Sequence, residues 1–328
     1  MATSGTVGQT TLDTATLLEH VFRRLKVHPS KQTPEKVEIA KNTLFLLLSS
    51  LSNSGLNLWA IARSFIGVEA AKSVYQLPTG TIDILNVLWS TPTRETGTDA
   101  SDSTSITTTL AADATVVRIG VQCSAITASD TLTLAYSADS GSTWTTIHSE
   151  TKTDWAVDTW YWFEVDPAIT SDYFKASFGS AATFAEFYLA SSVRDLPIFP
   201  LNRDSWMALP NKHQQGALPT NYYSERLLTP QISLWPVPNA IYGHLTLIAQ
   251  REIQDVGTLT QTLEVPKRWL NAIIWQTAAT VGFELEDVDV QILQLVTAQA
   301  KEAMVQAGVG ETDGAPLYIT PGIGRYTR

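Results

Sequence analysis

The sequence predicts an α+β chain: a helical body with short antiparallel strands, interrupted by an inserted all-β sandwich. Three observations lead there. Apolar residues recur at helical spacing near both ends, the middle of the chain alternates with a period of two, and acidic charge is concentrated in that middle. With 44% hydrophobic and 16% charged residues, the 328-residue chain has the balance of a folded protein, with room for two ordinary domains.

Residues 1–94 form the first part of the body. Leu17, Leu18, Val21, Phe22 and Leu25 share one helical face, and Pro29 ends that helix. Thr33-Pro34 opens a second helix, with Thr33 as cap and Pro34 in its first turn. Its apolar positions Val37, Ala40, Leu44, Leu47, Leu48 and Leu51 keep the helical period up to Gly55, so two antiparallel helices are expected. From Leu56 the pattern changes to short β-branched and aromatic runs, Leu58 to Ile66, Val74 to Leu77 and Ile82 to Leu88, which read as strands.

Residues 95–194 differ in kind. Alternating runs at Val116 to Val121, Leu132 to Ala135, Trp160 to Val165 and Phe184 to Leu189 stand in a Thr- and Ser-rich background, the pattern of an Ig-like β-sandwich. Thirteen acidic residues face only four basic ones, so this segment holds nine of the chain's ten net negative charges. Residues 195–307 return to mixed structure. Short strands are expected near Ile198, Tyr222-Tyr223, Ile232 to Trp235 and Tyr242 to Ala249, then a helix from Pro266 and a last one from Asp287. Residues 308–328 contain too many glycines and prolines for a helix and read as an extended arm.

Whole-chain properties exclude several classes. No apolar run approaches the roughly 20 residues of a spanning helix, so no membrane partner is expected, and the N-terminus lacks the basic-then-apolar pattern of a signal peptide. One cysteine, Cys123, permits no internal disulfide and fits a reducing cytoplasm. A net charge of -10 argues against general nucleic-acid affinity.

Catalytic constellations are not found, and the expectation is a non-enzyme without cofactor or metal. His20, His28, His148, His213 and His244 lack zinc-ligand spacing, the glycines near Gly308 lack the Lys-Ser/Thr of a phosphate loop, and no G-x-S-x-G elbow occurs. Glu284, Glu286, Asp287 and Asp289 could hold a cation, but they lie between two helices, where Asp287 reads as a cap. Trp206, Tyr222, Tyr223 and Trp235 could stack a ligand or a nucleic-acid base, but with only Arg203 and Lys212 as neighbouring basic groups they suit a small mixed core better. Trp155, Trp160 and Trp162 could form a sugar platform, although alternation places Trp160 and Trp162 on one face and favours core. Ser137-Ala138-Asp139-Ser140-Gly141-Ser142-Thr143-Trp144 fits the Asp-box pattern, a hairpin in which Asp139 accepts turn amides, Gly141 takes positive φ and Trp144 packs over the turn.

The two ends carry a family resemblance. Met1 to Thr6, Gly55 to Trp59, Tyr75 to Pro78, Ile82 to Leu85, Ala208 to Lys212, Pro219 to Tyr223 and Leu234 to Pro238 together resemble the head-to-tail adaptor (connector) proteins of tailed bacteriophages. The resemblance implies a structural virion protein with a helical-bundle body. It would form a ring, usually dodecameric, beneath the portal protein, around the passing genomic DNA and above the tail (nozzle) protein, at the head-tail junction of particles assembled in the host cytoplasm. Residues 95–194 fall outside it, and docking of tail fibres or bracing of the capsid is the expectation for them. In the terminal arm, Leu317, Tyr318, Ile319, Ile323, Arg325, Tyr326 and Arg328 are the expected portal-docking residues, an extended strand suited to a neighbour's sheet edge. The competing reading is a carbohydrate-binding protein acting through the inserted sandwich, motivated by the Asp-box and the tryptophans. A sialidase-type enzyme fails on inventory, because the insert has only Arg118 and Arg194 where three arginines are needed.

Overall fold

The computed structural model describes residues 12–53, 60–239, 242–254 and 257–309. In chain order the elements are helices α1 (Thr14–Arg24) and α2 (Pro34–Asn53), then strands β1 (Ile61–Gly67), β2 (Val74–Gln76), β3 (Thr81–Glu95) and β4 (Gly97–Ser101). Next come β5 (Ser105–Ala125), β6 (Asp130–Ser137), β7 (Thr145–Lys152), β8 (Trp160–Phe178) and β9 (Thr183–Pro200). A short helix α3 (Arg203–Met207) precedes β10 (Gln215–Gly216), β11 (Asn221–Glu225), β12 (Gln231–Trp235), β13 (Val237–Pro238) and β14 (His244–Arg251). Helices α4 (Lys267–Glu284) and α5 (Val290–Val309) follow. The chain divides into two compact units, Met1–Ala60 with Glu252–Arg328, and Ile61–Arg251.

The first unit is helical. Asp13 caps α1 by accepting a hydrogen bond from the Thr16 amide at 2.9 Å, and the predicted face of Leu17, Leu18, Val21, Phe22 and Leu25 is buried. Ala40, Leu44, Leu48 and Leu51 of α2 enter the same core, with Trp269, Ile273, Ile274 and Ala278 of α4. Each such leucine contributes about 1.5–3 kcal/mol on burial. The α5 face is Val296, Ala300, Ala303 and Ala307, whose small side chains let it lie close against the core. This helix starts at Val290, capped by Asp289, which accepts from the Gln291 amide at 2.9 Å. Asp287, the expected cap, instead pairs with Lys36 at 2.6 Å.

The second unit is built on a 12-stranded sheet, whose main path runs β1-β14-β3-β9-β5-β8-β6-β7. Adjacent strands along this path are antiparallel, while the side pairing of β11 with β9 is parallel. Irregular registers between Thr109 and Ala114 and between Val116 and Arg118 interrupt the β5–β8 ladder. Such bulges bend and twist a long strand, so one strand can serve two cores. One core gathers Ile119, Leu132, Leu134, Phe174 and Phe187, and another Val87, Trp89, Ile232, Leu234, Leu245 and Leu247. A smaller aromatic cluster of Trp160, Trp162, Tyr188 and Ala190 takes in Phe65 and Tyr242.

The expected fold class, a helical bundle with short strands and a separate Ig-like sandwich, is therefore corrected. Among the described residues strand makes up 45% against 27% helix, and a single large antiparallel sheet dominates. Three of its strands are far longer than expected, 21 residues in β5, 19 in β8 and 18 in β9. The reason is local: Thr- and Ser-rich stretches such as Thr107 to Thr109 and Ala168 to Ser171 lie within the ladder, because Thr suits a pleated, half-buried surface as well as a loop. Residues 94 and 95 are the last two of β3, and residues 194 and 195 are consecutive in β9. Among the described residues, no helix is long and apolar enough to cross a membrane.

Candidate functional site

The site is a cleft in the sheet unit where β1, one end of the strand path, comes beside β7 and β8 near the other end. Alternation along β1 puts Arg63 and Phe65 on one face, and along β7 it puts His148, Glu150 and Lys152 on one face. Strand β8 adds Tyr161 and Glu164. This lobe encloses 540 Å³. A second lobe of 760 Å³ shares Phe65, Pro78, Lys152 and Tyr161 with it and extends past Glu69, Lys72 and Asp154.

Charges in the first lobe are paired, between strands for Arg63 and Glu164 and within β7 for Lys152 and Glu150. Arg63 Nη1 donates to both Glu164 carboxylate oxygens, at 2.7 and 2.9 Å. Lys152 Nζ lies 3.5 Å from Glu150 and stands over the rings of Trp155 and Tyr161 at 4.8 and 4.9 Å. The half-buried Tyr161 hydroxyl accepts the Ala156 amide at 2.8 Å, and its ring meets that of Trp155 edge to face at 4.6 Å. Burial is the first cause that pushes the Tyr161 hydroxyl pKa up. In the second lobe Lys72 pairs with Glu69 at 2.7 Å.

Behind the cleft lies a polar group held in apolar surroundings. Arg118, 3% exposed, reaches 3.6 Å from Glu164, stands 4.2 Å over the Phe65 ring, and donates to His244 Nε2. His244 is fully buried and stacks on Trp162 at 4.5 Å. Because Arg118 can only donate, His244 Nε2 is the acceptor and the ring proton sits on Nδ1. Burial first, then Arg118 and Arg63, brings the His244 pKa down to about 2, so the ring stays neutral. Arg118 is held charged by Glu164 against the cost of burial, which lowers its pKa.

The structure places the residues singled out from sequence as follows. In the β6–β7 turn, Asp139 accepts the Thr143 amide and hydroxyl, both at 2.7 Å, and the Ser137 hydroxyl at 2.7 Å. Those bonds, Thr143 first, hold the Asp139 carboxyl down at about 2. Gly141 has φ +87° and its amide donates to Ser137 Oγ at 2.8 Å, while Trp144 is half-buried with Lys175 5.5 Å over its ring. The turn itself, residues 137–144, does not line the cleft. Trp155, Trp160 and Trp162 are buried, the last two stacked at 5.3 Å, so they form no open platform. Trp206 stacks on Tyr223 at 5.5 Å, and Trp235 Nε1 donates to the Asn211 carbonyl at 3.0 Å. Leu317, Tyr318, Ile319, Ile323, Arg325, Tyr326 and Arg328 lie outside the described residues. Among the described residues there is no cluster of three or more metal-ligating side chains. Sequence reasoning missed Arg63, Lys152, Tyr161 and Glu164 as a group. Arg63 and Glu164 are 101 residues apart, and no local pattern announces that they meet.

No protein-family model matches the chain, and no curated protein matches it. Solved structures that match include the carbohydrate-binding module CBM32 of AlyQ in complex with 4,5-unsaturated mannuronic acid, at 14% identity over 34% of this chain and 98% of that one, TM-score 0.24. Chitosan-binding module 1 from a chitosanase/glucanase of Paenibacillus sp. IK-5 matches at 20% identity over 41% and 98%, TM-score 0.21. An F5/8 type C domain from Bacteroides fragilis matches at 18% identity over 42% and 95%, TM-score 0.23. The adaptor resemblance is corrected on the fold itself: one large sheet stands where that family implied a helical bundle. The portal, tail-protein, fibre and ring partners, the DNA channel and the structural virion role inferred from it are withdrawn with it. Of the seven short stretches that carried the resemblance, Met1 to Thr6 and Gly55 to Trp59 lie outside the described residues, and the other five are common residue types in loops and strand ends, which many folds share. At TM-scores this low, the likeness to the sugar-binding modules adds nothing to the argument from the cleft.

Proposed function

We propose that the sheet unit binds carbohydrate in the two-lobed cleft, without chemistry of its own. One observation carries the reading: half-buried rings, Tyr161 and Phe65, stand at the centre of an open cleft whose walls offer both donors and acceptors. A sugar ring has apolar C–H faces that suit aromatic side chains, and hydroxyls that both donate and accept. Lys152 and Arg63 supply donors, and Glu150 and Glu164 supply acceptors whose charges are already paired. A neutral polyol replaces the water on such groups without leaving a charge uncompensated. The paired charges also disfavour a phosphate backbone, which needs an excess of free cations.

The test is a glycan array followed by calorimetry on the full chain, with Tyr161→Ala and Lys152→Ala as variants checked for folding by circular dichroism. Binding of an oligosaccharide that falls at least about tenfold in either folded variant is the expected result. Absence of any glycan ligand, or affinity unchanged in both folded variants, overturns the proposal.

A further inference from the structure

Strand β5 brings one charged side chain to the back of the cleft by breaking its own alternation. Val116 and Ile119 lie in the same apolar core although they are three residues apart, an odd spacing for one face of a strand. The irregular register between Val116 and Arg118 accounts for it: a bulge re-phases the strand there. Arg118 therefore falls on the face opposite Ile119, with Gly120, where a Cβ would come 2.8 Å from Trp162 Cζ3. Directly across the ladder from Arg118 stands Glu164 of β8. Of these two partners Glu164 is the one that reaches the cleft, its side chain 39% exposed against 4% for Arg118.

Arg118 is itself fixed on three sides. Its Nη1 donates to His244, its Nη2 lies 3.6 Å from Glu164, and its guanidinium stands 4.2 Å over the Phe65 ring. The other partner of Glu164, Arg63, is an exposed side chain, and an ion pair between two exposed side chains fixes neither of them firmly. We propose that Arg118 is the positioning residue of the sugar site, holding the Glu164 carboxylate in the orientation in which it accepts from a sugar hydroxyl. This rests on the carbohydrate reading of the cleft and adds the group that sets its acceptor in advance. Each carboxylate oxygen takes one bond from Arg63 and keeps a second lone pair for the sugar. A glutamate without the buried anchor would lose its rotamer freedom on binding, and that ordering weakens a complex. Arg118 lines neither lobe, so it acts through Glu164 and touches no sugar.

The experiment titrates the full chain by calorimetry with three neutral probes, cellohexaose, mannohexaose and N-acetylchitohexaose. The strongest binder enters a double-mutant cycle of Arg118→Met and Glu164→Gln, with folding checked by circular dichroism. Each single change is expected to weaken binding at least about fivefold, and Arg118→Met to add nothing further once Glu164→Gln is present. A side chain that only supported the fold would weaken binding equally in both backgrounds. That result overturns the proposal while the carbohydrate reading stands, and so does unchanged affinity in folded Arg118→Met. If the native chain binds none of the three probes the proposal falls, and the glycan array judges the carbohydrate reading separately. Should Arg118→Met not fold, Arg118→Lys takes its place with the same outcomes, since lysine keeps the charge and loses the fork that spans His244 and Glu164.

Discussion

Acidification should destabilise the sheet unit through His244, by an amount the structure allows to be worked out. The imidazole is fully buried, stacked on Trp162, and accepts from Arg118, with Arg63 also nearby. Its pKa falls from 6.5 when unfolded to about 2 when folded. The folded-state value is depressed, so below pH 6.5 the unfolded chain takes up a proton that the folded chain refuses. The contribution is therefore complete above pH 6.5 and is lost progressively as pH falls towards 2. Between about pH 7.5 and about pH 5 that loss comes to about 2 kcal/mol. Urea unfolding at these two values, in the native chain and in His244→Gln, isolates the effect. Glutamine keeps an acceptor for Arg118, and its offset of about 1–3 kcal/mol for imperfect geometry is the same at both pH values. The native chain should lose about 2 kcal/mol more than the variant on acidification. An equal pH dependence in the two proteins would refute the neutral, buried histidine and with it the donor–acceptor assignment of the Arg118 contact.

Two further outcomes follow from the same unit. Burial pushes the Cys123 thiol up to about 12, so the folded chain should resist a thiol-reactive chromophore at mildly alkaline pH and react once urea unfolds it; prompt labelling of the native protein would contradict the burial. Asp139→Ala removes the acceptor of the Thr143 amide and hydroxyl, so hydrogen exchange at Thr143 should speed up while exchange in the distant β3–β9 ladder stays as it was.

Local chemistry made parts of this molecule legible from sequence. The helical faces of α1 and α2 are repeats of 3.6 residues, and burial follows them closely from Leu17 to Leu51. The Ser137–Trp144 turn could be read because the bonds made by Asp139 and Gly141 within it join residues at most four apart. Alternation at Val116, Leu132, Trp160 and Phe184 marked strands, and those runs lie inside β5, β6, β8 and β9. Alternation does not say how far a strand continues through Thr and Ser, and the fold class went astray there. Seven short stretches of familiar order misled the family assignment in the same way, since none had a physical reason to specify one fold.

Sequence by itself determined which segments bury which face: periodicity is a property of neighbouring residues, and hydrophobic burial acts on it wherever the segment ends up. Tertiary structure alone decided the sites. Arg63 meets Glu164 across 101 positions and Arg118 meets His244 across 126. Such meetings depend on strand order, bulges and register, which many distant contacts set together and no local pattern encodes.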